Sequence, residues 1–187
     1  VRGVPGLQVA DAADHVEQIG DRDVLVRGSP ELGAVARHPV ADAADVIRRV
    51  ADAFGSAGFA VAPALKEGLP SVTVPPAVIE TVLTGLLENS RQAGASRVLI
   101  EALASDGMLT IAIRDDGPGI PAGDRDRIFQ PFFTSRRASG GTGLGLPIIR
   151  SLLQAHGGTI MLDRDCDSEA AFLVTLPACA AMAARTA

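Results

Sequence analysis

Residues 140–146 read Gly-Gly-Thr-Gly-Leu-Gly-Leu, and they open a segment whose apolar residues predict a helix over residues 144–156. The first turn of a helix has unpaired backbone N–H groups at the positive end of its dipole, so glycines there favour phosphate binding. No Lys-Ser or Lys-Thr pair follows, as a Walker loop requires, and a dinucleotide fingerprint would need its third glycine at Leu146 or Ile148. The stretch predicts a phosphate-binding loop of another kind, with a flexible hinge as the alternative.

A second glycine-containing stretch lies at residues 115–120, Asp-Asp-Gly-Pro-Gly-Ile, directly after a predicted strand. The strand places Asp115 at its end, and the two glycines let the backbone pass close to a flat group. A buried carboxylate in this position can accept a hydrogen bond from the exocyclic amino group of adenine. A plain turn is the alternative that this stretch alone leaves open.

Three polar side chains outside these two stretches are further candidates for a nucleotide site. Asn89 lies near the end of a predicted helix, where its amide oxygen can bind Mg²⁺ together with phosphate oxygens and water, although a helix cap is the commoner role. Arg136 and Arg137 precede the glycine-rich stretch and can reach a terminal phosphate, although exposed loop arginines are usually only solvated.

The phenylalanines are concentrated in one segment. Phe129, Phe132 and Phe133 are half of the chain's 6 phenylalanines and lie shortly before the glycine-rich stretch. We interpret them as a hydrophobic anchor for a mobile segment, with ordinary core residues as the alternative.

Taken in order along the chain, these features resemble the catalytic and ATP-binding domain of sensor histidine kinases, in the superfamily that also contains gyrase, Hsp90 and MutL. The resemblance covers about residues 40 to 177. It implies an α/β fold, a two-layer sandwich known as the Bergerat fold, in which helices cover one face of a mixed sheet and a lid closes over ATP. The matching motifs are the N box at residues 87–90, the first glycine box at 115–120, the F box at 128–134 and the second glycine box at 141–146.

The resemblance also implies roles for single residues. Asn89 would bind Mg²⁺, Asp115 would accept the adenine amino proton, and residues 131–142 would form the lid. The residues implied to act in phosphoryl transfer are Asn89, Glu88 and Arg136. Those implied to contact ATP are Asn89, Gln92, Ala93, Asp115, Gly117, Gly119, Ile120, Phe133, Thr134, Ser135, Gly141, Thr142, Gly143, Leu144, Gly145 and Leu146.

The activity implied is that of a protein-histidine kinase, which transfers the γ-phosphate of Mg-ATP to a histidine for signalling to a response regulator. None of the 3 histidines, His15, His38 and His156, lies in the sequence context of the family's acceptor. We therefore expect the acceptor on a dimerisation domain outside this chain, in the same full-length protein or in a partner, and we expect the full-length protein to be a homodimer.

Two positions depart from the family pattern. Gly85 lies four residues before Asn89, where histidine kinases commonly have Asn or His and the ATP-hydrolysing relatives have a catalytic Glu, so autonomous hydrolysis is not expected. Gln92 replaces a residue that is basic in many members. Two other interpretations stay open: a degenerate kinase-like domain that binds a response regulator without productive ATP binding, and a kinase that acts on a serine of an anti-sigma antagonist.

The composition indicates in which compartment the protein works and which classes of partner it does not favour. A formal charge of -5 and a pI near 5.1 argue against nucleic acid as a partner. Cys166 and Cys179 are the only cysteines and do not form a close metal-binding pair, which favours reduced thiols and a cytoplasmic protein. No apolar run approaches the roughly 20 residues that cross a bilayer, so we expect membrane attachment only through segments upstream of this chain.

The sequence divides into three parts. We predict a linker or remnant of an upstream region at residues 1–38, the kinase domain at 39–177 and an alanine-rich tail at 178–187. The elements predicted within the domain are helices at 41–55, 75–94, 123–129 and 144–156, and strands at 59–61, 72–74, 98–104, 108–114, 159–163 and 170–176.

Overall fold

The computed structural model of this chain describes residues 41–136, 141–163 and 170–179, which belong to one compact unit. The predicted linker, most of the predicted tail, and the residues Cys166, His15 and His38 lie outside the described residues. The helices within the described residues are α1 (Ala43–Phe54), α2 (Pro76–Gln92) and α3 (Gly145–Ala155). The strands are β1 (Ala60–Leu65), β2 (Arg97–Ser105), β3 (Met108–Asp115), β4 (Thr159–Leu162) and β5 (Ala170–Pro177).

The five strands form one mixed sheet in the order β1-β2-β3-β5-β4. β1 pairs with β2 in parallel, and the other three pairs are antiparallel. β2 and β3 form the predicted hairpin, in which Asp106 and Gly107 both have positive φ. The register pairs Val98 with Asp115 and so places the first carboxylate of the 115–120 stretch at the end of the hairpin ladder.

The helices and the sheet share one hydrophobic core. α1 packs against α2 and β1, while α3 packs against α2 and β4. Alternate residues of the central strands, such as Ile100, Ile111 and Val174, belong to the same buried cluster as the apolar stripe of α2. Strand residues alternate between the two faces of a sheet, so this pattern places the helical layer on one face and confirms the two-layer α/β fold.

The helices begin where local chemistry favours them. Asp42 caps α1, because its Oδ1 accepts a hydrogen bond from the backbone N–H of Asp45 at 3.1 Å. α2 begins at Pro76, whose fixed φ suits the first turn of a helix and whose missing N–H is not needed there. Within the described part of the chain, none of the helices combines the length and the apolar character that crossing a bilayer requires.

Two predicted elements were wrong. Residues 72–74 form no strand; Val72 makes single bridges to Ala41 and Ala178, because Pro70 and Pro75 flank this segment and prolines have no N–H to extend a ladder. Residues 123–129 form successive turns rather than a helix. The hydrogen bond from the Ile128 N–H to the Asp124 carbonyl is followed by the shorter turn from Gln130 to Arg127.

The core position of β3 leads to a stability prediction. Ile111 is 1 % exposed in the middle of the sheet, so Ile111→Ala should lower the free energy of unfolding by about 2–5 kcal/mol, measured by urea denaturation. Ile148, which is 57 % exposed on α3, provides the matched control, and Ile148→Ala should change the unfolding free energy by less than about 0.5 kcal/mol. Equal losses in the two variants would contradict this description of the core.

Candidate functional site

A cavity of about 720 Å³ lies between α2, the loop after β3 and the segment that leads into α3. This volume falls in the range of small-molecule sites. The described residues that line it include most of those predicted from the sequence to bind a ligand or to act in catalysis: Glu88, Asn89, Gln92, Ala93, Asp115, Gly119, Ile120, Phe133, Thr134, Ser135, Arg136, Gly141, Thr142, Gly143, Gly145 and Leu146.

Two predicted site residues, Gly117 and Leu144, do not line the cavity. Gly117 lies behind the site and donates its backbone N–H to Asp115 Oδ1 at 3.0 Å. Leu144 is the cap residue before α3, and its carbonyl oxygen accepts the N–H of Ile148 at 3.0 Å. Both residues support the wall of the cavity. The predicted lid residues 137–140, including Arg137 and Gly140, lie outside the described residues.

The carboxylate of Asp115 is held from two sides at the end of β3. It is 3 % exposed; its Oδ2 accepts a hydrogen bond from Ser90 Oγ at 2.7 Å, while Gly117 N–H binds Oδ1. Burial raises the pKa of Asp115 above its ordinary value, and the bonds from Ser90 and Gly117 oppose that rise. Because each carboxylate oxygen has a second lone pair, this fixed group can still accept a hydrogen bond from a ligand.

Ser90 is a site residue that the sequence analysis missed. It lies one turn after Leu86 on the buried stripe of α2 and is itself only 3 % exposed. A hydroxyl on an otherwise apolar stripe needs a buried partner, and that irregularity was the available signal. Other lining residues that were missed are Pro118, Pro121, Asp124, Ile128, Pro147, Ala170 and Phe172. Ala170 and Phe172 come from β5 and carry no local signal, because only sheet pairing brings them beside Asp115.

Asn89 presents an unsatisfied amide to the same cavity. Its Nδ2 is buried and has no hydrogen-bond partner among the described residues, which is costly unless a ligand supplies one. A side chain at Gly145, the first residue of α3, would lie 3.9 Å from Asn89 Oδ1. Arg136 Nη1 approaches the Asn89 carbonyl oxygen at 3.4 Å. The amide of Asn89 therefore lies close to the N–H groups of the α3 N-terminus and to a cationic side chain.

Glu88 is engaged by its neighbours on α2. Its Oε1 accepts a hydrogen bond from Gln92 Nε2 at 2.7 Å, and its Oε2 accepts two from Arg91 at 3.1 and 2.6 Å. The bonds from Gln92 and Arg91 lower the pKa of Glu88. A carboxylate with a lowered pKa is a weaker proton acceptor, so this geometry gives Glu88 little strength as a general base.

Gly143 brings two backbone segments into direct contact. Its φ is +68°, and a Cβ at this position would lie 2.5 Å from the Phe132 carbonyl carbon and 2.6 Å from the Phe133 oxygen. The Phe132 N–H also donates to the Gly143 carbonyl at 2.9 Å. Only glycine satisfies both the backbone angle and the contact, so Gly143 joins the segment of Phe132 and Phe133 to the glycine-rich loop.

The interpretation of the three phenylalanines as one anchor was wrong for Phe132. Phe129 and Phe133 are partly buried against the core, where Arg127 lies 4.4 Å from the Phe133 ring centroid and Arg150 lies 5.7 Å from that of Phe129. Phe132 has φ +65°, which turns its side chain outward and leaves it 66 % exposed.

The departure at Gly85 has a packing reason. A Cβ there would lie 2.9 Å from Ile149 Cδ1, so the side chain of Ile149 fills the space next to α2. One turn later on α2 and one turn earlier on α3, Asn89 meets Gly145. The two contacts share one helix-helix interface, and they place Asn89 at the N-terminus of α3.

A comparison with protein families matches residues 75–179, more than half of the chain, to the family described as histidine kinase-, DNA gyrase B-, and HSP90-like ATPase. Curated relatives include the alginate biosynthesis sensor protein KinB of Pseudomonas aeruginosa, 34 % identical over 115 residues, and the sensor protein KdpD of Escherichia coli, 38 % identical over 117 residues. Each alignment covers 60 % of this chain, but only 19 % of KinB and 13 % of KdpD.

Solved structures share the fold. The histidine kinase domain of the E. coli osmosensor EnvZ superposes with a TM-score of 0.63 at 26 % identity, covering 83 % of this chain and 98 % of that domain. The mycobacterial sensor histidine kinase MprB gives a TM-score of 0.66 at 24 % identity, covering 75 % of this chain and 98 % of the other. At this identity, the likeness to MprB concerns the fold alone.

The buried carboxylate leads to a prediction about pH. Because burial raises the pKa of Asp115, the native state keeps this proton to a higher pH than the unfolded chain, whose aspartates titrate near about 3.9. Its contribution to stability is therefore complete below that pH and is lost as the pH rises through the folded-state pKa. Asp115→Asn should remove this decline, so the unfolding free energy of the variant relative to wild type should rise with pH above about 4.

Urea denaturation at a series of pH values measures this difference. The matched control is Asp106→Asn at the exposed hairpin turn, where the neutral amide tolerates the same positive φ. A difference between Asp115→Asn and wild type that stays constant with pH would contradict the predicted titration.

Proposed function

Because this chain belongs to the histidine kinase-, DNA gyrase B- and HSP90-like ATPase family, we propose that it is the ATP-binding catalytic domain of a sensor histidine kinase. In this proposal the domain transfers the γ-phosphate of Mg-ATP to a histidine outside the chain. The observation that carries it is one cavity lined both by a buried carboxylate and by the N-terminus of α3 beside Asn89. The chain spans about a fifth or less of the length of its first curated relatives, so the activity of the whole protein is part of the proposal.

The carboxylate end of the cavity suits adenine. Asp115 is fixed by Ser90 and Gly117 and accepts the hydrogen bond that the exocyclic amino group donates. Ile128 and Phe172 line the same cavity with apolar surface and are largely buried themselves. A flat base in this position is held by dispersion contacts and recognised by one directed hydrogen bond.

The glycine end of the cavity suits the phosphates. Residues 141–145 lead into α3, where backbone N–H groups without intrahelical partners point away from the helix and favour negative charge. The side chains that glycine lacks would block the approach of the phosphates. Arg136 adds a cation at the same wall and suits a terminal phosphate.

The donor set fits Mg²⁺ when it arrives with the nucleotide. Within the described ranges no cluster of three or more His, Cys, Asp or Glu side chains could hold a metal ion on its own. Asn89 lines the cavity, and the oxygen of its neutral amide is the atom that can bind the ion. Mg²⁺ is commonly held by one or two protein ligands together with substrate phosphates and water, so Asn89 would hold it in this way. Bound there, the ion neutralises phosphate charge.

The residues of this chain act mainly by binding and orientation. Asp115 fixes the base and the α3 N-terminus fixes the phosphates, so the γ-phosphate points along a defined direction toward an incoming nucleophile. At the two α2 positions next to Asn89 that were candidates to hold a base for water, Gly85 has no side chain and Glu88 is paired with Arg91 and Gln92. This arrangement favours transfer to a histidine, which is itself a nucleophile, over hydrolysis.

The partners that follow from this function are a histidine-bearing dimerisation domain and a response regulator, with the full-length kinase a homodimer. Gly85 and the neutral Gln92 favour a second candidate, a degenerate domain that binds a response regulator without productive ATP binding. Nucleotide affinity separates the two candidates.

The adenine contact predicts the effect of Asp115→Asn on affinity. The amide preserves the shape of the side chain but replaces one acceptor oxygen with a donor, so Mg-ATP affinity should fall by about 10- to 100-fold, equivalent to about 1.5–3 kcal/mol for a bond to a charged group. Isothermal titration calorimetry measures this change, and circular dichroism tests whether the fold is retained. Asp106→Asn should bind ATP as wild type does. Wild-type protein that binds no Mg-ATP would support the degenerate domain instead.

Removing the amide of Asn89 tests the phosphate end. With Mg-ATP and a histidine-bearing dimerisation domain from a related sensor kinase, wild-type protein should form an acid-labile phosphoprotein, and Asn89→Ala should slow its formation at least about 100-fold, since positioning supplies most of the rate. Affinity for AMP, which lacks the β- and γ-phosphates, should stay unchanged in the variant. An acid-stable product would indicate a serine kinase and overturn the assignment to histidine.

A further inference from the structure

We propose that Asp116, whose side chain lies outside the cavity, is a positioning residue that holds Asp115 against Ser90 and thereby sets the preference of the site for a base with an exocyclic amino group. The inference rests on the proposed adenine site. It concerns a residue that does not touch the ligand, and it begins from the hydrogen bonds of the Asp116 carboxylate.

That carboxylate joins β3 to the turn after α2. Asp116 Oδ1 accepts the backbone N–H groups of Ser96 and Arg97, both at 2.8 Å, and its Oδ2 accepts Ser96 Oγ at 2.7 Å. The backbone N–H of Asp116 donates to the Arg97 carbonyl at 3.1 Å. Four hydrogen bonds therefore link Asp116 to two consecutive residues at the start of β2.

This link bears on Asp115 because Ser90 lies at the other end of the same turn. The carbonyl oxygen of Ser90 accepts the N–H of Ala95 at 3.1 Å, so the chain from Ser90 to Ser96 is closed on itself before β2 begins. Asp115 and Ser90 are brought together from different elements, β3 and α2. The Asp116 carboxylate fixes the turn that spans the gap between these elements.

The last strand pair shows why a side chain is needed at this point. The ladder between β2 and β3 ends with Val98 paired to Asp115, and beyond it only the backbone bond of Asp116 to Arg97 continues the pairing. On its other side Asp115 is paired with Ala170 of β5, so it is on the β2 side that the connection beyond Val98 depends on this backbone bond and on the Asp116 carboxylate. The side chain of Asp116 adds three bonds to an ionised acceptor, and such bonds are shorter and stronger than neutral ones.

The electrostatics agree with this geometry. Partial burial raises the pKa of Asp116, but the bonds from Ser96 and Arg97 outweigh it and leave the pKa below its ordinary value. The group is therefore ionised at neutral pH, when its hydrogen bonds are strongest. Asp116 is exposed and does not line the cavity, so its effect on a nucleotide must pass through Asp115.

The test compares two nucleotides that differ in one group. Purine riboside triphosphate lacks the exocyclic amino group of ATP. Its dissociation constant divided by that of ATP therefore reports the contact made by Asp115. In Asp116→Ala this ratio should fall about fivefold or more, because Asp115 is no longer aligned. Asp116→Asn should restore most of the ratio, since its amide oxygen can accept both backbone N–H groups and its NH₂ can donate to Ser96 Oγ.

Two further variants separate positioning from general loss of stability. Asp42→Ala removes a carboxylate that also caps a backbone N–H, at the start of α1 and away from the cavity, and should lower stability without changing the nucleotide ratio. Ser96→Ala removes one of the three bonds to the Asp116 carboxylate and should give a smaller fall in the ratio, which keeps the test decisive if Asp116→Ala does not fold.

The outcomes are distinct. A lower ratio in Asp116→Ala with rescue in Asp116→Asn supports the positioning role. Equal weakening of both nucleotides, or an unchanged ratio in Asp116→Ala and Ser96→Ala, overturns it while leaving the adenine site in place. Wild-type protein that binds neither nucleotide overturns the proposed function together with this inference, and calorimetry on wild type shows that result before any variant is made.

Discussion

The site depends on one buried hydrogen bond, between the hydroxyl of Ser90 on α2 and the carboxylate of Asp115 at the end of β3. A carboxylate as buried as Asp115 is costly unless polar groups compensate it, and here the compensation comes from the Ser90 hydroxyl on α2 and the backbone N–H of Gly117. That requirement ties the helical layer to the sheet at one point. Asp115 also lines the cavity, so in the proposed adenine site the same contact would serve both folding and recognition.

The interface between α2 and α3 sets the other end of the cavity. Ile149 packs against Gly85, and one turn further along α2, Asn89 comes close to Gly145 at the start of α3. At the position of Gly85, where the resemblance to histidine kinases leads us to expect Asn or His, this chain has no side chain. A glycine at this position leaves room for Ile149 beside α2, and a larger side chain there would require Ile149 to shift.

Several features in or near the cavity wall are unfavourable for stability. Asp115 is a buried charge, Asn89 has an unsatisfied buried amide, and Phe132 combines a left-handed backbone with an exposed ring. Each such feature costs of order 1–3 kcal/mol and persists because the surrounding core is well packed. The core of β3, β5 and α2 supplies that stability, while the cavity wall keeps polar groups available to a ligand.

The sequence by itself determined the order of helices and strands, the mixed α/β class and the motifs that line the cavity, because periodicity, proline, glycine and the Asp106–Gly107 turn act over a few residues. It misplaced the strand at residues 72–74 and the helix at 123–129, where prolines and competing turns decide the outcome. Only the tertiary structure showed that Ser90 binds Asp115, that β5 brings Phe172 to the cavity and that Gly85 makes room for Ile149. These contacts join residues from different elements, and they depend on how helices pack on a sheet, which no local pattern records.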